Sequence, residues 1–416
     1  MNFNQITKSR LLNGIVVALS LITILISLQS YGTGKYISNG IVESNFNNFL
    51  IFKASATNLL NNIDLYILHP TQHYDLYKYS PTFALFMLPF SVFPDWLGLI
   101  FWNLLNLTLF ICALKMLPGL NKPQMILILL VGVFELIGSM MNEQSNVLMT
   151  GLMLLSIAQF ERKNAFWGIF FLVLSVYIKL FSIVLFMLVL FYPNRARSAI
   201  YSIFWFLILG LIPSLFIGLD DLKMQYMSWF YMLQNDYDAS VGYSIIGILD
   251  TWFSISGNRL HVLILGGIIM CLPLLKVSQF KKRHYRYSVL SALLIWIIIF
   301  NHKAESPTFI IAMTGIGLYF SINKFTTSNK ILLGFCIIFV SLVYSDIMPP
   351  KYRDSFFHPY FIKAFPCIII WLKIMTETIL DKFIIFTRMA LKLLAILLFD
   401  QQYNKLTRQN VPTFHY

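Results

Sequence analysis

Three carboxylate side chains, those of Glu43, Asp64 and Asp75, lie in one polar stretch near the start of the sequence. A carboxylate beside a bound hydroxyl group can act as a general base and remove the proton as the oxygen attacks. The three residues are therefore candidate catalytic bases. The alternative for each of them is a solvated loop acid or a turn former, and the sequence leaves both open.

A single lysine, Lys179, interrupts a long apolar stretch over residues 165–192. Ionisable residues at membrane depth are costly and usually mark a pathway or a ligand site, and a lysine point charge suits a phosphate. The sequence therefore predicts that Lys179 binds an anionic group of the substrate. The alternative is that it marks the turn of a helical hairpin and extends to water.

Two further polar clusters interrupt apolar segments. His302, Lys303 and Glu305 lie in a short connector, and this group could bind an anion and position an acid. Glu143 lies at the end of another apolar segment. We count all four as candidate substrate-binding residues, with ordinary polar turns as the alternative.

No metal or cofactor site is expected. His69 and His73 are four residues apart, but Pro70 disfavours one continuous helix through both. The four cysteines lie in apolar runs without metal-ligand spacing, and the sequence has neither a P-loop nor a Gly-x-Gly-x-x-Gly motif.

The elements that must position these residues are membrane helices. Of the 416 residues, 58% are hydrophobic and only 12% are charged, whereas soluble domains average roughly 25% charged residues. A soluble fold could not bury this much apolar surface. The composition predicts an all-α polytopic membrane protein and argues against a nucleic-acid-binding domain despite the net charge of +13.

Apolar segments long enough for about twelve spans can be marked along the chain. With a cytoplasmic N-terminus, the inside connectors carry 19 of the 31 Lys and Arg residues, as the positive-inside rule expects. The sequence thus predicts one transmembrane domain over residues 1–374 with a large first external loop, about residues 30–96. It also predicts a cytoplasmic amphipathic tail over residues 375–416 and an inner-membrane location with both termini cytoplasmic.

Two shorter apolar stretches, residues 82–93 and 242–255, suit re-entrant or interfacial helices better than spans. Ser80 and Pro81 are a typical helix start, with serine as the N-cap and proline at the first helical position.

The order of several motifs resembles glycosyltransferase family 87. The first of them lie in the predicted external loop: Asn48-Phe-x-x-Phe52, Asp64-Leu-Tyr66, Lys78-Tyr-Ser-Pro81 and Phe93-Pro94. The later ones are Trp102, Glu143-Gln144-x-Asn146, which is similar to the family's Gly-Gln-x-Asn, and Tyr177-Ile-Lys179. On this resemblance Asn48, Lys78, Gln144 and Asn146 become candidate substrate-binding residues.

The resemblance implies a GT-C-like helix bundle and a metal-independent transfer of a sugar from a polyprenyl-phosphate donor to an acceptor hydroxyl at the outer face. A hexose such as mannose is the expected sugar, and a lipid or glycan the expected acceptor, with membrane lipids as further partners. The family's expected catalytic Asp is replaced by Asn48, and a Gly by Glu143. Either Glu43, Asp64 or Asp75 supplies the base, or the chain is a catalytically inactive member. A lipid or solute transporter is the alternative from another functional class.

Overall fold

The chain is mostly helical over residues 3–235, 241–255 and 259–380, which are the residues that the computed structural model describes. The helices of the first half are α1 (Phe3–Gly32), α2 (Asn47–Leu60), α3 (Pro81–Phe86), α4 (Leu88–Ser91), α5 (Asp95–Met116), α6 (Lys122–Val131), α7 (Val133–Met141), α8 (Asn146–Glu161), α9 (Ala165–Ile178), α10 (Phe186–Val189) and α11 (Arg195–Leu211).

The helices of the second half complete the bundle. They are α12 (Ser214–Ile217), α13 (Leu219–Asn235), α14 (Ile245–Phe253), α15 (Arg259–Cys271), α16 (Arg283–Ile299), α17 (Phe309–Ile322), α18 (Thr327–Cys336), α19 (Pro350–Tyr352) and α20 (Ala364–Leu380). Short 3₁₀ turns occupy Leu180–Leu185, Leu272–Leu275, Val277–Lys281, Ser306–Thr308 and Leu342–Tyr344, and π-helical turns occupy Ile337–Ser341 and Arg353–Phe357.

Five helical segments within the described ranges are long and apolar enough to cross a membrane: Thr7–Gly32, Asp95–Met116, Lys122–Met141, Arg195–Ile217 and Thr327–Tyr344. Shorter apolar segments lie beside them. The all-α membrane character expected from the composition is confirmed. The number of about twelve spans and the orientation of the termini remain predictions.

The core of the bundle is formed by α8, α16 and α17, whose side chains are buried on nearly all sides. Such helices need neighbours on every side, and apolar residues fill their whole circumference. Small residues permit close approach: a Cβ on Gly151 of α8 would lie 3.0 Å from the backbone of α5. In contrast, α11 exposes many apolar side chains, as a helix facing lipid would.

The segment between α1 and α5 folds into a compact unit. It begins with a two-stranded antiparallel hairpin, β1 (Lys35–Ser38) and β2 (Ile41–Ser44). The hairpin was not predicted, although its turn carries the Asn-Gly signal: Asn39 and Gly40 both adopt positive φ. Ser80 caps α3 by accepting from the Phe83 backbone N–H, with Pro81 at the first turn, which confirms that predicted helix start.

Two other sequence expectations can be compared with the structure. The stretch over residues 242–255 contains the short helix α14, and the stretch over residues 82–93 contains α4 and all of α3 except its first residue, Pro81. The predicted tail boundary at residue 375 falls inside α20, and the remainder of that tail lies outside the described residues beyond Leu380.

Candidate functional site

The Lys179 ammonium group lies at the centre of the candidate site. Helix α9 ends at Ile178, and Lys179 follows in an extended conformation before the next 3₁₀ turn begins. Its Nζ donates hydrogen bonds to Asn146 Oδ1 at 2.9 Å and to Gln144 Oε1 at 3.3 Å. The break between two apolar helices therefore presents a cation at the N-terminal end of α8.

Two other segments of the chain converge on the same cation. The Gln144 amide donates to Glu305 Oε2 at 3.4 Å, which brings in the connector between α16 and α17. The ring centroid of Tyr79 is 5.6 Å from the Lys179 Nζ, a distance at which the aromatic face attracts a cation. The neighbouring Ser80 hydroxyl donates to the Tyr177 carbonyl, so the first loop is fixed against the end of α9.

An aromatic cluster holds Tyr79 in place. Phe52 of α2 contacts the rings of Tyr79, Phe83 and Trp102 edge-on, with centroid separations of 4.9, 5.3 and 5.6 Å. Edge-to-face contacts of this kind are favourable beyond the apolar area that they bury. The polar site is thus built on a rigid apolar base.

Two acidic residues influence the hydroxyl group of Tyr79. Burial raises the pKa of the Tyr79 hydroxyl, and the negative charges of Glu305 and Asp75 raise it further. Asp75 has a positive φ of 74° and is exposed. Its Oδ1 accepts the Leu76 N–H at 2.7 Å and lies 3.8 Å from the Lys78 ammonium. Asp75 and Glu305 therefore act electrostatically on the same tyrosine whose ring contacts Lys179.

The other two predicted bases point elsewhere. Asp64 accepts the Tyr66 N–H and the Ser228 hydroxyl, each at 2.9 Å. It lines a separate cavity of about 1050 Å³ beside α13. Glu43 accepts the Tyr36 hydroxyl at 2.8 Å from the neighbouring strand of the hairpin. Both carboxylates have hydrogen-bond partners that account for their positions.

The turn that carries Glu143 is tightly fixed. The Asn48 amide donates to the Asn142 carbonyl, and the Trp102 indole donates to the Glu143 carbonyl, each at 2.9 Å. Glu143 itself has a positive φ of 49° and only 1% exposure. Its Oε1 has no hydrogen-bond partner among the described residues. Burial raises the pKa of Glu143 to about 9.

Glu143 and Asn48 face a common cavity of about 400 Å³. Its walls come from α1, the end of the hairpin and the start of α2, and they carry mostly amide and hydroxyl side chains. Asn48 and Glu143 therefore line one polar cavity. The turn over residues 142–145 contributes Asn142 and Glu143 to this cavity and Gln144 to the Lys179 cluster.

The connector after α16 is held by the chain before α14. The Tyr243 N–H donates to the Ala304 carbonyl at 2.9 Å, and the Lys303 N–H donates to Asn301 Oδ1 at 2.9 Å. A Cβ on Gly242 would lie 2.6 Å from the His302 carbonyl, and its φ is +47°. Only glycine fits this close approach, so His302, Lys303 and Glu305 are carried on a fixed turn.

His69 and His73 lie near each other, with ring centroids 5.9 Å apart. Each ring bonds a nearby carbonyl: His69 that of Asp64 at 2.8 Å, and His73 that of Asp75 at 3.1 Å. Burial lowers the pKa of His73. Over the described ranges, no group of three or more His, Cys, Asp or Glu residues could hold a metal ion.

Two residues that the sequence analysis did not select belong to this region. Tyr79 lies within the motif Lys78-Tyr-Ser-Pro81, of which only Lys78 was a candidate binding residue. Lys363 is 1% exposed, and its Nζ bonds Glu135 Oε2 at 2.9 Å and Ser306 Oγ at 2.6 Å. A lysine next to an apolar run can indicate a buried ion pair, but the partner of Lys363, Glu135, is 228 residues away in the sequence.

A sequence model of Glycosyltransferase family 87 matches residues 77–319, more than half of the chain. The chain belongs to glycosyltransferase family 87. It is accordingly a membrane glycosyltransferase, and the family resemblance seen in the sequence is confirmed. No curated protein matches the chain.

The region matched to glycosyltransferase family 87 contains the Lys179 cluster. Lys78, Glu143, Gln144, Asn146, Lys179, His302, Lys303 and Glu305 all lie within residues 77–319. Glu43, Asn48, Asp64 and Asp75 precede it. The match therefore covers the cation and its hydrogen-bond partners but not the candidate bases of the first loop.

Proposed function

We propose that this family 87 glycosyltransferase moves a sugar from a polyprenyl-phosphate donor to an acceptor hydroxyl at the outer face of the membrane. One observation carries the proposal: Asn146 and Gln144 orient the Lys179 ammonium group next to Tyr79 of the first loop. A hexose such as mannose is the proposed sugar, and a lipid or glycan the proposed acceptor.

The leaving group in this reaction is the lipid phosphate. As the bond between the sugar and the phosphate breaks, negative charge grows on the phosphate oxygens, and a fixed cation stabilises that charge most where water is excluded. An ammonium group has three N–H donors. Two of those of Lys179 bond the amide oxygens, which leaves a donor for a phosphate oxygen.

Apolar surface for the lipid tail lies directly beside the cation. In the 3₁₀ turn that follows Lys179, Leu180 is 43% exposed and Ile183 is 51% exposed. A polyprenyl chain can cover these side chains while its phosphate contacts the Lys179 ammonium. Large exposed apolar side chains next to a cation suit a ligand that carries both kinds of group.

Asp75 is the proposed general base. Its charge acts on Tyr79, the ring that also contacts Lys179, whereas Asp64 and Glu43 are held by Ser228 and Tyr36. An acceptor hydroxyl between Asp75 and the donor could lose its proton to Asp75 as it attacks the anomeric carbon. The new glycosidic bond forms on that carbon, and the phosphate leaves with the electron pair of the broken bond.

The test is transfer by the purified protein in liposomes that contain a radiolabelled polyprenyl-phosphate hexose and a panel of lipid and glycan acceptors. We expect labelled product from the wild type and little from Lys179→Met. Lys223→Met is the matched control, because Lys223 is an exposed lysine that lines the separate cavity beside α13.

Each result decides between the functions considered. Product from wild type and Lys223→Met but not from Lys179→Met supports the proposal. No product from any variant with any acceptor, while the donor remains intact, favours an inactive family member. Movement of labelled lipid across the bilayer without a new glycosidic bond favours the transporter.

A further inference from the structure

A second large cavity lies at the opposite end of the bundle from Lys179. Helix α8 begins at Asn146, beside Lys179, and its 16 residues end at Glu161, which lines this cavity. At 1.5 Å per residue, the two ends are about 24 Å apart. Helices α9 and α16 also join the two regions: α9 runs from the cavity to Lys179, and α16 from the cavity to the connector that carries Glu305.

The cavity is strongly basic. It has a volume of about 860 Å³ and five cationic side chains among its lining residues: Lys163, Arg195, Arg197, Lys281 and Arg286. Within that lining, Glu161 is the acidic member. Four cations therefore remain without a balancing carboxylate from the lining of the cavity once Arg286 is paired with Glu161.

Glu161 is fully occupied by its own partners. Arg286 donates from Nε to Oε1 at 2.6 Å and from Nη2 to Oε2 at 2.7 Å. Arg283 donates to Oε2 at 3.2 Å, and the Tyr192 hydroxyl donates to Oε1 at 2.8 Å. This two-pronged arginine pair is a strong, oriented contact. It forms one wall of the cavity, and the carboxylate is not available to neutralise Lys163, Arg195, Arg197 or Lys281.

Two helices also begin at the cavity. Asn164 precedes α9 and Asn194 precedes α11, and neither side chain caps its helix. The first backbone N–H groups of each helix need acceptors, and their partial positive charge favours an anion. They add to the field of the arginine and lysine side chains at the same place.

Exposed apolar side chains continue from the cavity along α11. Ile200 is 64% exposed, Ile203 is 63% exposed and Phe204 is 44% exposed. Residues Arg195–Ile217 form one of the membrane-crossing candidates, so this apolar face adjoins lipid. A ligand that fits both regions has an anionic headgroup and apolar chains that run parallel to α11.

We propose that this cavity binds the phosphate headgroup of an anionic membrane phospholipid, with the acyl chains against α11. Basic pockets between membrane helices on the cytoplasmic side are suited to such headgroups, and the predicted orientation places this end inside. The site is independent of the transfer reaction at Lys179. A soluble phosphate compound would share the headgroup chemistry but would not use the apolar face.

The experiment measures lipid binding by the full-length protein in nanodiscs or detergent. Native mass spectrometry with phosphatidylglycerol and phosphatidylcholine gives the binding of each lipid to wild type and to the double variant Arg195→Gln/Arg197→Gln. The control is Lys324→Gln/Lys330→Gln, because both lysines are exposed and lie outside the cavity lining. Melting temperatures without added lipid verify that each variant is folded.

We expect wild type and the control to bind phosphatidylglycerol at least tenfold more tightly than phosphatidylcholine, and the Arg195/Arg197 variant to lose that preference. If the control lost the preference for phosphatidylglycerol to the same extent, the effect would be one of general surface charge, and the proposed site would be wrong. Equal binding of both lipids to wild type would overturn it as well. If inorganic phosphate competes fully with phosphatidylglycerol at equal concentration, the ligand is soluble and the lipid assignment is wrong.

Discussion

The Lys179 ammonium group and the Asn146 side chain are joined by a 2.9 Å hydrogen bond between the end of α9 and the start of α8. Asn146 is fully buried, so this contact holds the ammonium group from the interior of the protein. The neutral amide orients Lys179 without cancelling its charge. A carboxylate at the same position would compete with a phosphate for the cation.

The variant Asn146→Asp should therefore weaken donor binding. An aspartate has almost the shape of asparagine but would pair with Lys179, and such charge-assisted bonds are roughly twice as strong as neutral ones. We expect KM for the polyprenyl-phosphate donor to rise by about tenfold or more, with a smaller change in kcat. Steady-state transfer kinetics against donor concentration measure both constants.

Asn121→Asp is the control for this substitution. Asn121 is an exposed helix N-cap in a capping box at the start of α6, where aspartate is an equally good cap. Its kinetics should match those of wild type. An unchanged KM in Asn146→Asp would show that the Lys179 charge does not bind the donor.

Replacement of the candidate bases should separate Asp75 from the other two. Asp75→Asn removes the carboxylate, while asparagine tolerates the positive φ at this position. If Asp75 is the general base, transfer should fall by about 10²–10⁴-fold. The exposed contact with Lys78 contributes little to stability, so the melting temperature should change little.

Asp64→Asn and Glu43→Gln are the matched controls for Asp75→Asn. Each keeps an oxygen that can accept its present hydrogen bond, from the Ser228 hydroxyl or from the Tyr36 hydroxyl. The transfer rate of each control should remain within about threefold of wild type, since neither substitution removes the proposed general base. If either control lost most of its transfer activity while Asp75→Asn kept normal activity, Asp75 would not be the general base.

Glu143 should make the protein less stable as the pH rises. Burial raises its pKa in the folded protein from the ordinary 4.5 to about 9. Between these values the folded state holds a proton that the unfolded state has lost. The free energy of unfolding therefore falls with increasing pH, by up to about 1.4 kcal/mol for each pH unit.

The variant Glu143→Gln removes this titration and keeps the side-chain shape. Its melting temperature should exceed that of wild type at pH 8.5, and the difference should shrink at pH 5.5, where both side chains are neutral when folded. Glu305→Gln is the control, because the Glu305 carboxylate is exposed. The same difference between Glu143→Gln and wild type at both pH values would contradict a buried neutral carboxyl.

The sequence predicts the features that depend on local pattern. A lysine between two apolar runs indicates a helix break, and α9 indeed ends just before Lys179. The Ser80-Pro81 pair predicts the start of α3. These features follow from backbone conformation and polarity over a few residues, so they need no knowledge of distant partners.

The choice among the three acids needs contacts that no local pattern contains. Asp64 is bonded to Ser228, 164 residues later in the chain, and the connector carrying Glu305 reaches Gln144 across 161 residues. Packing of helices from both halves of the chain decides which partners each carboxylate has. A loop sequence rich in acids cannot supply that information by itself.

The buried pair of Lys363 and Glu135 offers a test of an ion pair inside the bundle. The two side chains are 1% and 4% exposed, and their charged atoms are 2.9 Å apart. Removing either partner leaves an uncompensated buried charge, which typically costs about 3–5 kcal/mol. Lys363→Met and Glu135→Leu should therefore each lower the melting temperature strongly.

The double variant Lys363→Met/Glu135→Leu should recover most of that loss, because apolar side chains of similar volume often replace a buried pair at little cost. The exposed pair of Arg353 and Asp354, at 3.0 Å, is the comparison, and Asp354→Asn should change stability by only about 0–1 kcal/mol. Thermal unfolding of wild type, both single variants and the double variant in one detergent gives the coupling between Lys363 and Glu135. Mild effects of both single substitutions would indicate that water reaches Glu135 and Lys363, as in a transport pathway, and would favour the transporter alternative.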